Sequence, residues 1–145
     1  LKTKKTSEKK DSISENLTPF SARERESVAD LITGSIFKST VDNSHPLAFG
    51  YDKNYFSLKL SGTSYHYLKE GYNVAYFNED TKNVSGYAGS TAKKEVPKSL
   101  LFGEEPMGRG SIVYMTDNVL FRSFWENGKL FLANASFLLN SNKLK

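Results

Sequence analysis

The last third of the chain limits the fold most, because it combines a short apolar strand with an apolar terminal segment. Residues 111–115 form an uncharged run that is typical of a strand covered on both faces. The glycine-rich residues 103–110 predict a turn, and residues 129–139 are long enough for a helix. Apolar side chains occupy nearly every position of that helix, so we expect it to be buried or to dock on another surface. This order predicts the closing part of an α/β layer fold with a parallel or mixed sheet.

The positive charge of the chain is concentrated at its start. The 145 residues carry a net charge of +4, and residues 1–10, with five lysines and one glutamate, account for all of it. A nucleic-acid-binding domain carries its basic residues on the folded surface, so we expect no nucleic-acid partner. The composition predicts a disordered basic leader at 1–19, a domain at 20–141 and a tail at 142–145.

Several classes of protein are excluded by what the sequence lacks. There is no cysteine, which excludes disulfides, thiolate zinc sites and cysteine nucleophiles. No apolar run approaches the roughly 20 residues of a membrane-spanning helix, so we expect no membrane span. The chain begins at Leu1 without a signal-peptide pattern, and we interpret it as a piece of a longer protein.

One helix is expected near the start of the domain. Ser21 and Glu24 have the spacing of a capping box, and Val28, Leu31 and Ile32 would form one apolar face of a helix over residues 21–33. Further segments have the composition of short strands, with 83–87 as a hairpin partner of 73–77; they are 35–41, 55–60, 73–77 and 83–87. Residues 47–50 suggest a loop or helical turn, and 88–98 an exposed segment.

Residue patterns of known catalytic sites are not found. His45 and His66 lie outside His-x-x-Glu and His-Glu-x-x-His spacing, so we expect no metal site. No Gly-x-Ser-x-Gly motif is present to position a serine nucleophile. Glu104 and Glu105 would repel phosphate from the glycine-rich segment. We therefore expect no catalytic residue in this chain.

The most distinctive cluster is Phe-Arg-Ser-Phe-Trp at 121–125. An arginine between aromatic rings can stack on a ring or bind a carboxylate, so Arg122 and Trp125 are candidates for a small ligand pocket. The structural interpretation, which we favour, pairs Arg122 with Asp117 or Glu126 and places Trp125 in the core. The candidate ligand or interface contacts are Arg122, Trp125, Phe121, His45 and Asp117.

Tyrosine is concentrated between residues 51 and 87. Such a surface can bind carbohydrate or peptide by stacking and hydroxyl hydrogen bonds, although tyrosine is also common as a half-buried strand residue. A carbohydrate- or peptide-binding module is therefore an alternative function. The tyrosines are Tyr51, Tyr55, Tyr65, Tyr67, Tyr72, Tyr76 and Tyr87.

Five motifs, in this order and spacing, carry a family resemblance. They are Gly-Ser-Ile-Phe at 34–37, His-Pro-Leu-Ala-Phe-Gly at 45–50, Met-Gly-Arg-Gly-Ser-Ile-Val-Tyr at 107–114, Asp-Asn-Val-Leu-Phe-Arg at 117–122 and Leu-Phe-Leu-Ala-Asn-Ala at 130–135. Together they resemble the C-terminal region of zinc carboxypeptidases from Bacteroidetes-type bacteria. In that family a carboxypeptidase-A-like catalytic domain precedes a class I glutamine amidotransferase-like domain.

The resemblance, which covers roughly residues 20–140, implies a fold and a role. The fold would be part of a flavodoxin-like, glutamine amidotransferase-like layer with a mixed sheet and flanking helices. The role would be that of a non-catalytic accessory domain of an exported zinc metallocarboxypeptidase. Its partner would be its own upstream catalytic domain, which alone would hold zinc, and a homo-oligomer is a further expectation. A third interpretation, a small-ligand amidotransferase-like enzyme, would need a pocket around Glu104, Asp117 and Arg122.

Overall fold

The computed structural model describes residues 1–4, 17 and 19–139, and these contain one antiparallel sheet with a few helices. The helices are α1 (Phe20–Ala29), α2 (Ser90–Glu95) and α3 (Glu126–Phe137), with 3-10 turns at Pro46–Ala48 and Phe121–Ser123. The strands are β1 (Ile32–Val41), β2 (Asn54–Lys59), β3 (Tyr72–Phe77), β4 (Asn83–Ala88), β5 (Ser99–Met107) and β6 (Gly110–Met115).

β1 organises the sheet, whose strand order is β2-β1-β3-β5-β6. One edge of β1 pairs with β2 from Ser35 to Thr40. The other edge is shared, because β4 pairs with its first part and β3 pairs only with Thr40 and Val41. The six strands therefore form a curled sheet in which β4 lies along the first part of β1 and β3 along its end.

The expectation of a parallel or mixed sheet is wrong, since every pairing of the described strands is antiparallel. The predicted strand at 111–115 is confirmed as β6, but it is the last strand of the sheet and its side chains are partly exposed. The mixed α/β character is present, whereas the flavodoxin-like layering implied by the resemblance is not confirmed.

The expected turn at 103–110 is wrong over most of its length. Residues up to Met107 belong to β5, and only residues 108 and 109 turn the chain into β6. Gly108 has a φ of 56°, a left-handed conformation that glycine adopts without strain. Pro106 is tolerated because β5 pairs with β3 only as far as Glu104.

The first helix is shorter than the sequence suggests. α1 ends at Ala29, Leu31 lies outside it and Ile32 begins β1, so the expected apolar helix face does not form. Ser21 lies inside the helix, whose N-cap is Pro19 without a side-chain hydrogen bond. The β-branched residues after Gly34 favour an extended backbone, which explains why the strand takes over.

The other strand predictions succeed except for one pairing. Segments 35–41 and 73–77 are confirmed within β1 and β3, and segment 55–60 is confirmed as β2 except for residue 60. The 3-10 turn at Pro46–Ala48 matches the expected turn near 47–50. Segment 83–87 is a strand, but it pairs with β1 and not with 73–77. Within 88–98 the chain forms α2, and Ala92 and Val96 are buried, so this segment is not simply exposed.

α3 begins three residues earlier than expected, and it is buried on one face only. Gly128 lies in its first turn, where a Cβ atom would be 2.3 Å from the Val119 carbonyl oxygen, so only glycine allows this approach. Phe131 and Asn134 are buried on the same face. The side-chain amide of Asn134 donates to the carbonyl oxygens of Leu47 at 3.0 Å and Phe49 at 2.8 Å. These hydrogen bonds join α3 to the 3-10 turn at Pro46–Ala48.

Aromatic rings fill the core between the sheet and α3. The Phe131 ring stacks on Tyr51 at 4.1 Å between centroids and contacts Tyr55 at 5.2 Å and Phe102 at 4.5 Å. Such contacts combine a large buried apolar area with a preferred ring geometry. Phe131 is therefore the main anchor of α3.

The start of the chain contacts the sheet through its first residues. Thr3 forms an antiparallel bridge with Tyr65, and the Lys4 ammonium donates to the carbonyl oxygens of Glu95 and Pro97. Burial is the main cause that lowers the pKa of Lys4. The rest of the expected leader up to residue 16, residue 18 and the tail at 142–145 lie outside the described residues. No helix in the described part is long and apolar enough to span a membrane.

Candidate functional site

A buried ion pair links the end of β6 to β2. The Lys59 ammonium lies 3.3 Å from a carboxylate oxygen of Asp117, and the side chains are 2% and 9% exposed. Ser57 donates its hydroxyl hydrogen to the other carboxylate oxygen of Asp117. Lys59 also donates to the Thr63 carbonyl oxygen at 3.1 Å and lies 5.8 Å from the Phe77 ring centroid. Hydrogen bonds and opposite charge thus satisfy this polar cluster internally.

The alternation of β2 places the members of this cluster on one face. Tyr55, Ser57 and Lys59 are buried, whereas Asn54 and Phe56 point to the exposed face. Successive side chains of a strand point to opposite faces, so residues 55, 57 and 59 must share one. Asp117, in the loop after β6, then meets Ser57 and Lys59 inside the curled sheet.

Trp125 joins the same region through Tyr55. The indole N–H of Trp125 donates to the Tyr55 hydroxyl oxygen at 3.4 Å. Burial raises the pKa of Tyr55 to about 12, the Trp125 hydrogen bond opposes that change and the Asp117 charge adds to it. Tyr55 therefore stays protonated at neutral pH. Trp125 is half-buried and lies outside the core that the structural interpretation expected it to fill.

His45 forms a second polar contact, with Glu104. Its Nδ1 accepts a hydrogen bond from the backbone N–H of Leu47 at 3.2 Å, and its Nε2 lies 3.3 Å from a carboxylate oxygen of the buried Glu104. The Tyr72 ring lies 5.0 Å from the imidazole, between centroids. Burial lowers the pKa of His45, whereas the charges of Glu104 and Asp42 raise it. With both ring nitrogens engaged, His45 fixes the turn to β5 and has no free nitrogen for a base.

Arg122 and Phe121 lie on the surface, away from the predicted partners. The Arg122 guanidinium lies 5.2 Å from the Phe121 ring centroid, and Arg122 has a left-handed φ of 49°. Among the described residues, Asp117 pairs with Lys59 and Glu126 with Lys129, so the ion pair expected for Arg122 is replaced by ring stacking.

The five candidate residues therefore occupy three places. Asp117 and Trp125 meet around Tyr55, His45 lies beside β5, and Phe121 and Arg122 stack on each other in the exposed 3-10 turn. Sequence reasoning missed Ser57, Lys59, Tyr55 and Glu104 as their partners. The alternation of β2 was a usable signal for Lys59, while nothing local indicated that Glu104 is buried.

The tyrosines between 51 and 87 do not share one surface. Tyr51 and Tyr55 pack against Phe131 in the core. Tyr67 donates its hydroxyl hydrogen to the Phe77 carbonyl oxygen, and burial raises its pKa. A separate contact joins the Tyr87 hydroxyl to the Val28 carbonyl oxygen of α1. Most of these side chains thus contribute to the fold.

One flank of α3 exposes apolar side chains beside the 3-10 turn. Leu130 is 39% and Phe137 77% exposed, and they lie seven residues apart on the same side of the helix. Phe49 is 67% exposed, and its backbone lies against α3: its carbonyl oxygen accepts from Asn134, and a Cβ atom at the neighbouring Gly50 would lie 2.8 Å from the Leu130 side chain. We refer to Phe49, Leu130 and Phe137 as the α3 flank.

Within the described part of the chain, no group of three or more histidine or acidic side chains has the arrangement of a metal site. No family model, curated protein or solved structure matches this chain.

Proposed function

We propose that this chain is a non-catalytic accessory domain that packs against the catalytic domain of an exported zinc carboxypeptidase in the same polypeptide. The series of five motifs is the reason for choosing this family. The same resemblance supports the proposal that the chain forms the last part of a glutamine amidotransferase-like fold. The α3 flank is the observation that carries the proposal of an interface.

The polar side chains support a structural use of the charged residues. Lys59 and Asp117 neutralise each other in the interior, and Ser57 donates to the same carboxylate. His45 is held at both ring nitrogens by Leu47 and Glu104. Groups that stabilise one another in this way are not presented to a substrate, which favours a binding role over a catalytic one.

The α3 flank supports docking of a protein partner. Leu130 and Phe137 are exposed on a helix whose buried face anchors the core through Phe131, and Phe49 is exposed at the end of the neighbouring 3-10 turn. Grouped apolar exposure of this kind is typical of protein interfaces, and aromatic residues contribute most to their affinity. In the proposed parent protein the catalytic domain would cover this flank.

Binding of the separately prepared catalytic domain, measured by isothermal titration calorimetry, tests the interface. Phe137→Ser and Leu130→Ser should each weaken binding by a factor of ten or more, because about 1.4 kcal/mol of lost apolar contact is tenfold in affinity. Val84→Ser, at an exposed position of β4, is the matched control and should leave the affinity unchanged. Absence of binding, or equal affinity of all three variants, would refute the proposed interface.

Peptide hydrolysis tests the other half of the proposal. We expect this chain, supplied with zinc and peptides with free C-termini, to release no amino acid. Release that stops when a chelator is added would show that the chain itself is a metallopeptidase.

The alternative, a carbohydrate- or peptide-binding module, draws less support from the tyrosine positions. Tyr72 and Tyr87 are the most exposed members of the group, and each contacts another element through its ring or hydroxyl. Titration with cell-wall glycans, followed by Trp125 fluorescence, distinguishes the alternatives, and a saturable change would favour the module.

A further inference from the structure

The outer edge of β6 has no strand partner among the described residues. β6 pairs with β5 through a two-residue turn closed by Met107 and Gly110, and Thr116 donates its N–H to the Leu101 carbonyl oxygen. In an antiparallel pair the backbone groups of alternate residues point toward the partner. Residues 110, 112, 114 and 116 therefore face β5, whereas residues 111, 113 and 115 direct their N–H and C=O groups away from the sheet.

The sequence of this edge does nothing to prevent strand addition. Gly110–Met115 contains no charged residue and no proline, and its register with β5 has no shift. Ile112, Val113 and Tyr114 belong to the residue types that favour strands. Natural sheets usually protect an edge with lysine, proline, a bulge or a covering segment, and none of these is found at β6 within the described part of the chain.

The other edge strands are protected. The side-chain amide of Asn127 donates to the Phe56 carbonyl oxygen of β2 at 2.8 Å, and Lys53 directly precedes that strand. The pairing of β4 with β1 has two register shifts, and Lys82 precedes the strand. Bulges and lysines of this kind hinder further pairing. β6 is thus the edge at which an added strand meets a regular, uncharged backbone.

We propose that β6 pairs antiparallel with β6 of a second copy of this chain, which joins the two sheets into one. With the two-fold axis at Val113, this residue faces its own counterpart, Ser111 faces Met115 of the second copy, and Ile112 faces Tyr114 of the second copy. Pairs of aromatic and β-branched residues are favourable across strands, and no like charges meet. The pair at Val113 and the two pairs of Ser111 with Met115 each exchange two hydrogen bonds, which gives about six across the axis, whereas Ile112 and Tyr114 form the non-hydrogen-bonded pairs between them.

A second copy of this chain fits the open edge because the sequence of β6 is self-complementary in an antiparallel pair. A two-fold axis brings each half of β6 against the half that completes it, so one strand sequence supplies both sides of the interface. After two copies no β6 edge remains open, and assembly stops at the dimer. This interface lies on β6 and does not use the α3 flank, so it is independent of the proposed function.

Sedimentation equilibrium of the full chain tests the dimer. We expect a mass twice the 16.3 kDa of one chain. Val113→Pro removes a central outward N–H and should return the mass to that of one chain. Asn54→Pro, at the exposed first residue of the β2 edge, is the matched control and should remain dimeric. Circular dichroism verifies that each variant is folded, and Ser111→Lys, which adds a charge to the edge, replaces Val113→Pro if that variant does not fold.

Hydrogen exchange locates the contact independently of any substitution. As the concentration rises, the amides of Ser111, Val113 and Met115 should become protected, whereas those of Ile112 and Tyr114 are already protected by β5. A single-chain mass with rapid exchange at residues 111, 113 and 115 would overturn the proposal. So would a dimer whose mass is unaffected by Val113→Pro and Ser111→Lys.

Discussion

Removal of Asp117 should destabilise the domain more than any surface charge change. Asp117→Ala leaves the Lys59 ammonium, 2% exposed, with the Thr63 carbonyl oxygen as its remaining hydrogen-bond acceptor. Ser57 loses its acceptor in the same step. Breaking a buried ion pair by removing one partner costs about 3–5 kcal/mol, so we expect the free energy of unfolding to fall by that amount.

A second substitution separates the unpaired charge from the lost contacts. Lys59→Met keeps the length and apolar packing of the side chain and removes the charge. When it is combined with Asp117→Ala, no buried charge is left without a partner, so the double variant should be about 1–3 kcal/mol more stable than Asp117→Ala alone. Recovery of stability by a second substitution in the core is the result that only a charge penalty explains.

Urea unfolding followed by the fluorescence of Trp125, the single tryptophan, measures these differences. Glu79→Ala is the control, because Glu79 pairs with Lys98 at 2.6 Å on the surface, where such pairs contribute at most about 1 kcal/mol. Asp117→Asn, which keeps an acceptor for Ser57, extends the series if Asp117→Ala does not fold. The reasoning fails if Asp117→Ala costs no more than Glu79→Ala, or if the double variant is the least stable of the set.

Two further predictions concern pH and backbone packing. Burial holds the pKa of His45 below its usual 6.5, so the unfolded chain binds the proton more readily than the folded chain does. This contribution to stability is present above pH 6.5 and is lost as the pH falls through the lower, folded-state pKa. In urea titrations at several pH values, His45→Gln should flatten the decline in stability at low pH, and His66→Gln should not. Gly128→Ala should lower stability by about 1–3 kcal/mol in thermal unfolding, since its Cβ would lie 2.3 Å from the Val119 oxygen, whereas Gly110→Ala, with its nearest neighbour at 3.8 Å, should have little effect; equal losses would contradict this.

The strands that sequence reasoning found have local signals that agree with their environment. β2 and β6 combine strand-forming residues with clear turn residues at their ends, so local preference and tertiary structure point to the same element. β5 has the opposite character. Gly103, Glu104 and Pro106 all disfavour a strand, and β5 exists because β3 and β6 pair with it on either side.

The error in α1 has a different cause. A capping-box spacing and three apolar residues at helical intervals occur before Gly34, yet Ile32 begins β1 and pairs with Ala88 of β4. Short apolar runs are ambiguous between helix and strand, and only the neighbours in the sheet decide.

The sequence alone identified some residues of the candidate site but not their partners. Asp117 and Trp125 were named as candidates, and Asp117 was considered as a partner of Arg122, but its partner is Lys59, 58 residues away along the chain. The contact between His45 and Glu104 depends on how β5 approaches the 3-10 turn, which local rules do not describe. Long-range pairing therefore marks the limit of what this sequence indicates alone.

The excursion between β3 and β5 has a consequence for how this protein can vary. β3 ends at Phe77 and β5 begins at Ser99, and these two residues are direct partners, while β4 in the segment between them pairs with β1. The segment from 78 to 98 thus begins and ends at neighbouring positions of the sheet, and lengthening one of its loops adds little to the entropic cost of closing it. A peptide can therefore be inserted at the Asp80–Thr81 bend, by natural variation or by engineering, without shifting β3 or β4 on either side.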